Sequence, residues 1–372
     1  MKSKNSIVLI ILFNSAILIS SCIDRFEFTA DEPERILNVE GFISTVPKAH
    51  QVRLSRVEKF GPDFIGRARP EELATVMIKD DLGSVISLTE GESGNYYTAQ
   101  DFAAELGRSY SLEVFLKDGR RFFSLPEKVM PVPNVDSVTY HSVRTTTADR
   151  FNDEIGIAIT AHFQDPADQE NYYYWKQLPS TFVVVSEPEN YLTPGFWDPP
   201  KHPWPLDCCS RCFDVDIPSP LNVYSASDFD FNGTYQSRTI GYLRDDGLKF
   251  KETYRLDILH LSVSEACQRF LKLVDQQVRL TGSIFDPPPA NIRGNILNLN
   301  DPTEQVMGYF FASDEQLLRT YIHKENLEFF LTPITLLPID CRNKYFEQYP
   351  NPFRPNPDPL PITPPIDWDP VR

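Results

Sequence analysis

Glycine is scarce in this chain of 372 residues: it numbers 16, below the ordinary share of about 7%. A chain poor in glycine and rich in proline and aromatics is seldom a helical bundle. Positive charge is short as well. Thirty-six Lys and Arg stand against 52 Asp and Glu, for a formal charge of −16. Nucleic-acid binding needs clustered cations to displace counterions, so that class is set aside. No stretch approaches the roughly 20 apolar residues that a membrane-spanning helix requires. Catalytic spacings are missing too: there is no Gly-x-Ser-x-Gly elbow, no Walker loop, no His-Glu-x-x-His and no Gly-x-Gly-x-x-Gly. The histidines (His50, His141, His162, His202, His260 and His323) are scattered and never pair at metal-ligand spacing.

What the chain does have is proline and aromatic carbon. Proline numbers 32, nearly twice its usual share of about 5%, and aromatics make up 12%. Proline breaks helix interiors, so a helical bundle is disfavoured. With 41% apolar residues the chain can bury a core, and its length suggests two domains.

Residues 1–21 read as a signal peptide. Lys2 and Lys4 precede an apolar run from Ile7 to Ile19, which is too short to span a bilayer. Ile19-Ser20-Ser21-Cys22 then resembles a lipobox, where cleavage precedes a Cys that is acylated. The expectation is a body tethered to a membrane through Cys22, with 22–35 as the tether. Asp24 and Glu27 resemble a short acidic signal that sends lipoproteins to the outer face of the outer membrane. Their plain alternative is a solvated tether.

Short alternating runs then follow one another: Ile36–Ile43, Gln51–Val57, Ala74–Lys79, Val85–Leu88, Tyr96–Thr98, Ser109–Leu116 and Arg121–Ser124. Lys117-Asp118-Gly119-Arg120 is a hairpin signal, because a type I′ turn needs positive φ. These runs predict an N-terminal β-sandwich of immunoglobulin-like or transthyretin-like size over 36–130. Met130-Pro131-Val132-Pro133 marks a hinge. A larger β-rich domain is expected over 134–337, with strands at Val135–Arg144, Glu154–Phe163, Tyr172–Trp175, Thr181–Ser186, Arg238–Leu243, Lys249–Ser262, Asn291–Leu299 and Val306–Ala312. A helix is predicted over 263–278. Ser262 and Glu265 fit a capping box, and Val263, Cys267, Phe270, Val274 and Val278 form one apolar stripe. The class is all-β with one helix. Residues 338–372 read as a proline-rich tail.

Residues 187–220 form a Pro- and Cys-rich insertion. Tyr191, Phe196, Trp197 and Trp204, with His202, are candidates for a binding surface, since aromatics on a stiffened loop give contact area at low entropic cost. Covering the neighbouring sheet is the competing role. Outside the cytoplasm disulfides persist, so Cys208, Cys209, Cys212 and Cys341 are disulfide candidates with three possible pairings. The favoured arrangement staples the insertion internally and also to the tail through Cys341. Zinc held by the four thiolates is the minority alternative. Cys267, on the helix stripe, is expected to be a buried free thiol. Asp228-Phe229-Asp230-Phe231-Asn232-Gly233 matches half of a calcium loop, but Thr239 stands where the bidentate Glu belongs, so a plain turn is expected. No catalytic residue, metal or cofactor is assigned.

Several segments in order carry a family resemblance: the lipobox, Val39-Glu40-Gly41, Gly94-x-Tyr96, Gly107-x-x-Tyr110 and Pro131-x-Pro133-x-x-Asp136-Ser137. Ile284-Phe285-Asp286-Pro287-Pro288-Pro289-Ala290-Asn291-Ile292-Arg293-Gly294-Asn295-Ile296 and Val306-Met307-Gly308-Tyr309-Phe310-Phe311-Ala312-Ser313 complete the set. Over about residues 22–345 the chain resembles Bacteroidota lipoproteins of domain-of-unknown-function family 4249. The resemblance implies a partner of TonB-dependent outer-membrane receptors. It implies no catalytic residues. The resulting expectation is a non-enzymatic accessory or substrate-capturing lipoprotein at the cell surface. The alternatives are a structural or assembly factor of the envelope and, last, a secreted hydrolase.

Overall fold

A computed structural model describes residues 36–57, 68–146, 153–186, 210–219, 222–279, 292–330, 341–343 and 359–370. It is built of sheets, with one α-helix among the described residues.

The first body is a sandwich. One sheet runs Met307–Ser313, Ile36–Ser44, Gln51–Val57, Asn95–Tyr97 and Thr89–Glu90, with Arg69–Pro70 beside Gln51–Val57. The other runs Ile296–Asn298, Arg121–Ser124, Ser109–Phe115, Thr75–Asp80 and Val85–Ser87, with Glu127–Lys128 beside Ser109–Phe115. Period-two alternation explains the core. Ser109–Phe115 buries Tyr110, Leu112 and Val114 and leaves the intervening residues half-buried. Those three meet Leu37, Val39, Ile43, Val52 and Leu54 from the facing sheet.

Residues 36–130 do not close this sandwich alone. Met307–Ser313 adds to Ile36–Ser44 in parallel, pairing Asn38 with Met307 through Ser44 with Ser313. Ile296–Asn298 adds antiparallel to Arg121–Ser124. Both strands come from the stretch assigned by sequence to the second domain. A parallel neighbour cannot come from a hairpin, and here it arrives after a long excursion through the second body. Gly308 makes the fit possible. Its φ is +89°, and a Cβ there would lie 2.0 Å from the Val39 carbonyl oxygen.

The second body has two sheets. Val135–Thr145, Glu154–Gln164 and Tyr235–Arg244 form one. The other centres on Thr253–Ser262, whose ten residues are all buried. Glu315–His323 lines one side of that strand, and Tyr172–Gln177 and Ser180–Val185 line the other. Tyr254, Leu256 and Ile258 enter the core with Ile157, Ile159, Phe163, Tyr173 and Trp175, as their alternation predicts.

Several sequence expectations change. The helix is Glu265–Val278 and its cap is Ser264, which accepts from the Cys267 N–H at 3.1 Å. Ser262 does not cap it. Ser262 still belongs to the strand, and its hydroxyl donates to the Met130 carbonyl. The insertion ends in a strand, Arg211–Asp216, that pairs with Ser180–Val185. Tyr224–Ser227 and Glu315–His323 are further strands that the sequence pattern did not mark.

The described part of the tail is docked. Cys341 is bonded to Cys212, and the Phe213 N–H donates to the Pro361 carbonyl at 2.9 Å. Trp368 meets Phe213 and Tyr321 edge to face, at centroid distances of 5.1 and 5.6 Å.

The proline hinge is pinned as well. Val132 N–H donates to Asp314 Oδ2 at 3.0 Å and Val135 N–H to Gln316 Oε1 at 2.9 Å.

Candidate ligand cleft at the junction of the two bodies

Alternation along two strands builds the cleft. In Tyr172–Gln177 the residues Tyr173 and Trp175 point into the second core, so Tyr174 and Lys176 face the sandwich. In Met307–Ser313 the residues Phe310 and Ala312 fill the sandwich core, so Tyr309 and Phe311 face outward. The helix contributes Cys267, Phe270, Leu271 and Val274. Together these faces enclose a cavity of about 700 Å³, open to Glu40, Lys48, His50 and Arg53 at its polar side. This size lies within the roughly 300–1,000 Å³ of small-molecule sites.

An aromatic wall lines the cleft. Phe42 stacks on Phe311 with centroids 5.2 Å apart and an interplanar angle of 12°. Tyr174 meets Phe311 edge to face at 6.2 Å, and Phe270 lies 4.9 Å from Tyr309. Burial pushes the Tyr174 phenol up to about 12.

Two lysines approach the same ring. Lys176 Nζ is 4.6 Å and Lys48 Nζ 5.7 Å from the Phe42 centroid, within cation–π range. Their electrostatic situations differ. Lys48 is paired with Glu315, with Nζ–oxygen distances of 2.5 and 2.6 Å. The Lys176 ammonium has no hydrogen bond or ion pair to any described residue, and burial lowers its pKa below the usual lysine range. Glu40, the stronger of the two acidic influences on it, accepts from Asn38 Nδ2 at 2.5 Å. In a chain of charge −16, the cleft is thus lined by three cations, Lys48, Arg53 and Lys176, and one acid, Glu40.

Beneath the aromatic wall lies a buried polar knot. Tyr309 Oη donates to Glu127 Oε1 at 2.7 Å, and Asn295 Nδ2 reaches the same oxygen at 3.3 Å. The Asn295 amide also pairs both backbone groups of Phe310, at 2.7 and 3.0 Å. It thereby acts as one more strand rung where none exists. Burial raises the Glu127 carboxyl above its ordinary range, offset in part by Ser264, Tyr309 and Asn295. His50 is buried, its pKa is lowered by burial and by Lys48, and its Nε2 lies 3.2 Å from the Phe102 carbonyl oxygen.

The residues singled out from sequence are distributed otherwise. Cys212 and Cys341 form a disulfide with Cα atoms 5.7 Å apart. Cys267 is a buried free thiol whose pKa burial raises well above normal. Cys22, Cys208, Cys209, Tyr191, Phe196, Trp197 and Trp204 lie outside the described residues. Asp228 is structural: it accepts from the Asn171 N–H at 2.7 Å, while Gly233 turns at φ +74°.

The cleft residues themselves went unmarked by sequence reasoning. One signal was available. Tyr309-Phe310-Phe311-Ala312 is continuously apolar, the pattern of a strand buried on both faces, and such a strand must serve two cores.

The chain belongs to the family described as a domain of unknown function, DUF4249, whose model matches residues 23–319. Every cleft residue, from Asn38 to Phe311, falls inside that span. A search of curated proteins found no match.

Proposed function

We propose that this protein is a non-enzymatic lipoprotein of the outer membrane, acylated at Cys22 and exposed at the cell surface. In this reading it is an accessory, substrate-capturing partner of a TonB-dependent uptake receptor. The observation that carries the capture role is the cleft: an aromatic-walled cavity whose one unpaired lysine sits in an otherwise acidic body. Ligand sites of this kind are mostly apolar, with few polar groups placed to orient the guest. The apolar leader ending at Cys22 supports the anchor. The insertion aromatics Tyr191, Phe196, Trp197 and Trp204 supply the receptor-facing surface, leaving the cleft for the ligand.

Affinity isolation of the acylated chain from detergent-solubilised outer membranes tests the reading. A TonB-dependent receptor, identified by mass spectrometry in near-equal amount, is the expected companion. Recovery of the chain alone, or of an unacylated chain outside the membrane fraction, overturns it.

A further inference from the structure

The chemistry of the cleft narrows what it can hold. Its inner wall is hydrocarbon and ring: Phe42, Phe311, Tyr174, Phe270, Leu271 and Val274. A guest that covers this wall must be apolar over most of its length. The polar end of the cleft is not neutral. Lys48 is already satisfied by Glu315, and Glu40 by Asn38. Arg53 is exposed to solvent. Lys176 remains, drawn into the junction and touching a ring face rather than a counterion. A half-buried ammonium without a partner is costly, and a cation–π contact offsets only part of that cost. A neutral guest would strip the remaining water from Lys176 and return at most an uncharged hydrogen bond, weaker than one to an anion. A cationic guest would add repulsion.

We propose that the junction cleft binds an amphiphilic anion, a single negatively charged headgroup on an apolar chain, with Lys176 as the partner of the headgroup and the Phe42–Phe311 stack and the helix face as the wall for the chain. This deepens the substrate-capture reading and rests on it for its biological use. The fold explains why neither body could form the site alone. Lys176 and Tyr174 come from the second body, Phe42 from the first strand of the sandwich, and Phe311 from the strand that joins the two.

Isothermal titration of the mature chain carrying Cys22→Ser, which leaves every described element untouched, separates the possibilities. The probes are decanoate, decanol and decyltrimethylammonium, below their micellar concentrations. Decanoate is expected to bind at one site per chain, at least tenfold more tightly than the other two. Lys176→Gln should bring decanoate down about tenfold or more, to the level of decanol, while Lys176→Arg stays within about threefold of the parent. Equal affinity for the three probes overturns the proposal, as does no decanoate binding or an unchanged affinity in Lys176→Gln. The comparison among probes uses the parent chain, so it stands even where a variant folds poorly. Loss of the receptor in affinity isolation with decanoate binding intact would refute the accessory role and leave the ligand class standing. Intact receptor capture without decanoate binding would do the reverse.

Discussion

Phe42 and Phe311 stack with centroids 5.2 Å apart and planes 12° apart, although one lies near the start of the folded chain and the other near its end. Their strands are parallel neighbours, and parallel neighbours need a crossover. Here the chain between them runs through the rest of the sandwich and most of the second body. Ligand cleft, sandwich closure and helix packing therefore depend on one strand, Met307–Ser313.

Gly308→Ala tests that dependence. The substitution places a Cβ 2.0 Å from the Val39 carbonyl oxygen at a backbone φ of +89°. The strand must move, and a loss of about 2 kcal/mol or more in denaturant stability is expected. A variant as stable as the parent would show that the parallel pairing is dispensable.

The Cys212–Cys341 bond closes a span of 129 residues and ties the tail to the Arg211–Asp216 strand. Cys341→Ser should cost about 2–5 kcal/mol, with the chain-entropy view placing long loops at the upper end. Denaturant midpoints of parent and variant give the answer. In the native state Cys267 should resist thiol reagents, being buried with a raised pKa, and should react only after unfolding.

His260 predicts the response to acid. Burial among Phe163, Tyr173 and Trp175 lowers its pKa to about 3, against a smaller upward pull from the Pro133 backbone. The unfolded chain binds this proton near the ordinary value of about 6.5, so between there and about 3 the unfolded state holds more protons. Stability is therefore full above about 6.5 and falls with acid across that window, by up to about 1.4 kcal/mol per pH unit. Urea titrations from pH 7 to pH 4 should show the slope, and His260→Phe should flatten it. An unchanged slope would mean that other groups dominate.

The insertion carries a separate expectation. Trp197→Ala and Trp204→Ala should each weaken receptor capture by about 30-fold, the equivalent of about 2 kcal/mol for an interface anchor. Their melting temperatures should match the parent. Early melting with capture intact below the midpoint would make these rings core.

Much of the sheet content was legible because strand residues alternate where one face is buried. Gln51–Val57 and Arg121–Ser124 have the same bounds in sequence and structure. Tyr254, Leu256 and Ile258 marked the inner face of the central strand. Glu315–His323 escaped because it sits in an all-buried environment on one side only and opens with the charged pair-former Glu315. Tyr224–Ser227 is a four-residue run, Tyr-Ser-Ala-Ser, with no alternation of buried and exposed positions to mark it. The cleft was illegible for a different reason. Periodicity shows that Lys176 shares a face with Tyr174, but only tertiary packing brings Phe42 and Phe311 against that face. The capping box misplaced the helix start by two residues because the Ser262 hydroxyl was already committed to Met130.

Cross-linking in intact cells, followed by mass spectrometry, tests the central claim without detergent. The account predicts cross-links from the 187–220 insertion to a TonB-dependent receptor, lost in Cys22→Ala, where the chain leaves the membrane. Cross-links confined to this chain, or shared with no receptor while Cys22 is acylated, would contradict it.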